Sequence, residues 1–104
     1  MVLFSELANQ DLDNIYDGLL KWERFQLERN TIINYVVDIV DICGKLDQLL
    51  VHKKARYKTH KKYGIIVFSY KRNRNTTWYI IYNFDKLNNI VTVNHIISNH
   101  TTID

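Results

Sequence analysis

The chain has 104 residues, a net charge of +3 and a single cysteine, Cys43. A domain of that size buries a core without metal or disulfide staples, one cysteine excludes an internal disulfide, and no apolar run reaches the ~20 residues that a membrane span requires. The opening "MVLFSELANQ" lacks a basic leader and turns polar at once, so no signal peptide is expected, and a lone thiol fits a reducing, cytoplasmic setting.

In chain order, "VLF" (2–4) reads as a short strand. Ser5 follows it and can cap a helix by accepting a free N–H of the first turn. Leu7, Ala8, Leu12, Ile15, Tyr16, Leu19 and Leu20 keep helical spacing, which predicts a first helix from Glu6 to about Leu20 or Trp22. A second helix is expected over residues 28–50. There Ile32, Val36, Ile39, Cys43, Leu46 and Leu50 form a stripe widened by Ile33, Val37 and Val40, broad enough to face a core. Gly44 inside it marks a close approach to the first helix or a fraying end.

The pattern then changes to β-branched and aromatic runs at 63–70, 76–84 and 89–97. "KRNRN" and "DKLN" between them are turn clusters, so an antiparallel meander of three strands is predicted. The fold class is therefore α+β: a short N-terminal strand, an antiparallel helix hairpin, and an antiparallel sheet with the hairpin on one face. All of it forms a single domain over residues 1–104. Alternation puts Trp78, Ile80 and Tyr82 on one face of the middle strand and Tyr79, Ile81 and Asn83 on the other. In the last strand it groups Val91, Val93, His95 and Ile97 against Thr92, Asn94, Ile96, Ser98 and His100, and the second, more polar set is expected on an open face.

Charge is segregated along the chain. Residues 52–84 hold nine bases (Lys53, Lys54, Arg56, Lys58, Lys61, Lys62, Lys71, Arg72, Arg74) and no acid, whereas residues 1–51 are net acidic. A field of that kind attracts a polyanion or an acidic protein; a solvated linker and a wet hairpin tip are the plainer account. The four histidines, His52, His60, His95 and His100, match no metal-ligand spacing. Gly18, Gly44 and Gly64 are scattered, so no glycine-rich phosphate loop exists. Taken alone, His100 reads as an exposed terminal histidine, Tyr79 as a sheet aromatic and Trp78 as packing.

In conjunction these segments resemble the RelE/ParE superfamily. "VLFSELANQDLDNIYDGLL" is similar to the family's opening strand and its "A-x-x-D-L-x-x-I" helix, here Ala8, Asp11, Leu12 and Ile15. "WYIIYNF" and "IVTVNHIISNH" resemble its later strands, and the strand–helix–helix–three-strand order is the same over nearly the whole chain. The resemblance implies the toxin of a type II toxin–antitoxin system. One branch cuts mRNA on the ribosome and so inhibits translation; a ParE-like branch inhibits DNA gyrase without the nuclease residues; a non-catalytic nucleic-acid- or protein-binding member is a third possibility. The implied partners are a cognate antitoxin, the ribosome and mRNA or else gyrase, and operator DNA only through the antitoxin complex, with no membrane and no cofactor or metal.

Cleavage by a 2′-hydroxyl needs a base, an acid and cations at phosphorus. The resemblance assigns these tasks to Arg72, Arg74, His100 and Tyr79, with Lys53, Lys54, Arg56, Lys58, Lys61, Lys62 and Lys71 as the RNA-binding tract. Tyr79 departs from the arginine that YoeB-like members carry at that place, so the charge there would come from Arg72 or Arg74 across the hairpin. Arg72 and Arg74 are expected on the same side of the hairpin as His100.

Overall fold

The structure of the protein, a computed structural model, describes residues 1–21 and 29–100. Among the described residues the elements are β1 (Val2–Phe4), α1 (Glu6–Lys21), α2 (Arg29–Cys43), a 3-10 turn (Leu46–Gln48), α3 (Lys58–Lys61), β2 (Ile66–Lys71), β3 (Thr77–Asp85) and β4 (Ile90–Ser98). The expected ends at Trp22 and Glu28 lie outside the described residues.

α1 starts where the capping residue places it. Ser5 Oγ accepts the Ala8 N–H at 3.1 Å and donates to the Asn94 carbonyl at 3.0 Å, so one hydroxyl begins the helix and ties it to β4. α2 runs back along α1. Arg29 donates to the Tyr16 hydroxyl near one end of the pair, and Ala8 shares a core with Ile39 and Cys43 near the other. α2 ends earlier than its stripe suggests. Gly44 N–H bonds to Val40, Lys45 N–H bonds to Ile42, and the chain tightens into the 3-10 turn. Leu46 stays buried, but Leu50, expected on the same stripe, is 99% exposed because the helix no longer carries it.

The sheet order is β1-β4-β3-β2. β2, β3 and β4 form the expected antiparallel meander, but the whole sheet is mixed, because β1 runs parallel to β4. The helix pair returns the chain to the end where β1 began. β2 therefore sets off in the direction of β1, and β4, two reversals later, does the same.

Trp78, Ile80, Tyr82 and Phe84 face the helices as alternation predicts, together with Ile66, Phe68 and Tyr70 of β2. β4 departs from its predicted parity. Ile81 pairs with His95 and Tyr82 with Val93, so Asn94 is an extra residue, a β-bulge. Val91 and Val93 face the core before the bulge, and Ile96 and Ser98 are buried after it. Ile96 and Ser98, expected on the open face, are thus core-side residues, while His95 and Ile97 take the other side.

That other side is not open. Residues 52–64 form a strap that starts at the helix side of the sheet, rounds the β2 edge and lies across the opposite face. Its first anchor is His52, stacked on Phe84 at 4.5 Å and bonded to the Tyr82 hydroxyl at 2.7 Å. Burial pushes the Tyr82 phenol up to about 12, so it stays neutral. At the edge, Ala55 N–H bonds to Ile65 and Val67 N–H to Lys53, adding a single bridge to β2. The far end rests on Gly64 and on Tyr63, whose ring lies 4.2 Å from that of His95. A β-carbon on Gly64 would sit 2.9 Å from Ile81 Cγ2 and 3.1 Å from the Tyr82 carbonyl oxygen. Gly64→Ala is therefore expected to destabilise the protein by about 1–3 kcal/mol, read as a lower urea midpoint.

β1 covers β4 only as far as Val93. Beyond it, Asp11 Oδ2 on α1 accepts the Ile96 N–H at 2.8 Å and bonds to His95 Nδ1 at 2.6 Å. One carboxylate oxygen thus satisfies a buried donor just past the bulge and fixes the imidazole. Asp11→Ala leaves that donor unpaired and is expected to cost about 1–3 kcal/mol in the same assay.

Candidate nucleic-acid interface

Eight of the nine bases of residues 52–84 are exposed: Lys53, Lys54, Arg56, Lys58, Lys61, Lys62, Lys71 and Arg74. The strap carries six of them. Ala55 and His60 turn inward, Tyr57 and Tyr63 are partly exposed, and the long cationic side chains point to water, the arrangement that keeps charged heads solvated. Ala55 is buried, and His60 is fully buried between the rings of Tyr57, 5.1 Å away, and Tyr79, 4.7 Å away.

Between the strap and β2 lies a groove of about 790 Å³. Lys53, Lys54 and Arg56 line its strap side. The groove wraps the β2 edge: Tyr57 and Tyr79, with buried His60 between them, and Val67 and Ser69 line it on the strap side, and Leu49, Val51, Phe68 and Tyr82 line it toward the helices. Cations and aromatic rings lining one groove with no acid among them form an arrangement suited to a polyanion that also has flat, stackable groups.

The hairpin between β2 and β3 is built by its asparagines. Asn73 Oδ1 accepts the N–H groups of Asn75 and Thr76, at 2.9 and 3.0 Å, and the Thr76 carbonyl accepts the Arg72 N–H at 2.9 Å. At this end of the sheet His100 Nε2 is bonded to Thr76 Oγ1 at 3.1 Å, and His100 N–H donates to Ser98 Oγ at 3.3 Å. Asn99 locks β4 against β3 here by accepting the Thr77 N–H at 3.0 Å and donating to the Asn75 carbonyl at 3.1 Å. His100 is exposed, and Arg74 is exposed at the tip.

Arg72 behaves differently. Its guanidinium lies 4.3 Å over the Tyr35 ring, donates to the Tyr70 hydroxyl at 3.1 Å and forms an ion pair with Asp38 of α2. Burial works to lower its pKa, but the bonds to Asp38 and Tyr70 outweigh it and hold Arg72 above the ordinary guanidinium value. The same patch joins Trp78 Nε1–H to the Tyr35 hydroxyl at 2.9 Å. Arg72 is thus directed at the helices, whereas Tyr79 lies on the opposite face beneath the strap.

The four residues expected to act together are therefore distributed. His100 and Arg74 share the hairpin end, Arg72 turns to α2, and Tyr79 belongs to the groove with the strap cations. The groove's ring residues, buried His60 and half-exposed Tyr57, were not singled out as site residues by the sequence pattern. Their spacing in "RYKTHKK" gives no periodic signal, and only the neighbouring bases mark the segment. Among the described residues no cluster of three His, Cys, Asp or Glu side chains is placed to hold a metal ion, and no helix is long and apolar enough to cross a membrane.

Replacing Arg72 tests its attachment to α2. Arg72→Ala is expected to lower stability by about 1–2 kcal/mol. Arg72→Lys is expected to recover only part of this, since an ammonium keeps the charge but loses the planar stack and the fork; chemical denaturation of the three proteins measures both. Compared with family models, curated proteins and solved structures, the chain finds no match in any of the three.

Proposed function

We propose that the chain is the toxin half of a type II toxin–antitoxin pair, built on a RelE/ParE-like arrangement and acting on ribosome-bound mRNA as an endonuclease. The observation that carries this reading is the cationic strap and hairpin, with eight exposed bases and no acid between residues 52 and 84. Such a surface holds a phosphate backbone without reading its sequence. The order of elements, a strand, a helix pair and a three-strand meander, supports the same reading.

In this reading His100 is the proton-transfer group. It is exposed, follows β4, and is held through Thr76 beside the hairpin that displays Arg74. An imidazole titrates in the range needed to take a proton from a 2′-hydroxyl or give one to the leaving oxygen. Arg74 and Lys71 supply charge to the phosphorus, because Arg72 is engaged by Asp38. The antitoxin expected as partner, if acidic at its toxin-binding segment, has the same cationic surface to meet.

The gyrase-inhibitor reading also draws on a specific observation, the separation of Arg72, Tyr79 and His100 across two faces and one end of the sheet. One preparation decides between them. With purified translating ribosomes, the nuclease reading expects mRNA cleavage that His100→Ala lowers at least about a hundredfold without changing the fold. Intact mRNA on those ribosomes, together with blocked supercoiling by purified gyrase, overturns the nuclease reading in favour of the other. Normal growth of cells making high levels of folded protein without the partner overturns both.

A further inference from the structure

The groove under the strap has features that a general phosphate-binding surface does not need. Tyr57 is 43% exposed, yet its ring is fixed, edge-on to His60 at 5.1 Å and 90° and to Tyr79 at 6.4 Å and 72°. An exposed aromatic ring already held by its neighbours loses little freedom when a flat ligand stacks on it.

The strand side adds hydrogen-bonding groups. Val67 N–H points outward to the Lys53 carbonyl, a backbone bond between strap and strand. By the two-residue period of a strand, the backbone N–H and C=O of Ser69 face the same way, along an edge with no strand beside it. A donor and an acceptor thus stand within the groove that Tyr57 borders.

Size is the third feature. The groove's volume of about 790 Å³ includes the portion lined by Leu49, Val51, Phe68 and Tyr82, so the part beside Tyr57 accepts a single base, not a duplex whose bases are stacked and paired inside it.

We infer that this groove binds single-stranded RNA by taking one unstacked base against Tyr57, while Lys53, Lys54 and Arg56 hold the adjoining phosphates. The protein therefore selects unpaired RNA over duplex RNA of the same sequence. This inference rests on the nucleic-acid reading above, and it concerns a groove whose lining does not include His100.

Fluorescence anisotropy with the full chain and a labelled oligouridylate 12-mer, free or annealed to oligoadenylate, tests it. Free RNA is expected to bind at least tenfold more tightly than duplex. Tyr57→Ala should weaken the free strand about tenfold and leave the weak duplex binding unchanged, whereas Tyr57→Trp, which keeps the stack, should bind as well as the original. Lys54→Ala should weaken both forms and reduce the salt slope for the free strand by about 0.7. Tyr63→Ala, an exposed tyrosine on the far side of the strap, should bind like the original. Equal affinity for duplex and free strand, or a folded Tyr57→Ala that binds normally, overturns the inference while the nucleic-acid reading stands. If the original protein binds neither form, nor mRNA on the ribosome, the nucleic-acid reading fails and this inference with it.

Discussion

One carboxylate oxygen holds the two layers of this protein in register. Asp11 reaches from α1 to β4 just past the bulge and takes both the Ile96 N–H and His95 Nδ1. Ser5 makes the neighbouring link by capping α1 and bonding to the Asn94 carbonyl. Between them they satisfy the edge of β4 where β1 has ended, so a sheet edge that would otherwise be open is closed by the helix that packs on it. The bulge places Ile96 and Ser98 on the core side, and β3 and β2 follow from β4 by pairing.

Most of the framework was legible from local pattern. The three runs read as strands at 63–70, 76–84 and 89–97 are Ile66–Lys71, Thr77–Asp85 and Ile90–Ser98. Ser5 caps the helix it was expected to cap. These features depend on neighbours in sequence. The errors are all non-local. Asn94 carries no mark of a bulge, since asparagine in a strand also fits plain alternation, yet one extra residue exchanged the faces of everything after it. The parallel sense of β1 depends on how far the helix pair carries the chain, which no three-residue strand encodes. Leu50 keeps the period of α2 but lies beyond its end.

The site was legible as charge and not as shape. Nine bases without an acid marked residues 52–84, but composition could not show that the tract covers the second face of the sheet. The anchors are sparse and unlike one another: a histidine on Phe84, a buried alanine, a buried histidine and a glycine against Ile81. Nor could strand parity show where Arg72 goes, because its partner Asp38 is 34 residues away on a helix. The outcome divides the hairpin cations by task. Arg72 fastens the hairpin to α2, and Lys71 and Arg74 remain exposed.

Cys43 has a separate consequence. It is the chain's sole thiol, fully buried, and burial pushes it up to about 12. Thiolate, the reactive form, is therefore scarce and unreachable while α2 stays packed on the sheet. Alkylation of this sulfur reports how often the core opens, with no engineered probe. At low reagent the labelling rate follows the population of open molecules, and at high reagent it follows the rate of opening itself. The core thus carries its own clock for kinetic stability, and a cysteine introduced on the surface can be labelled selectively beside it.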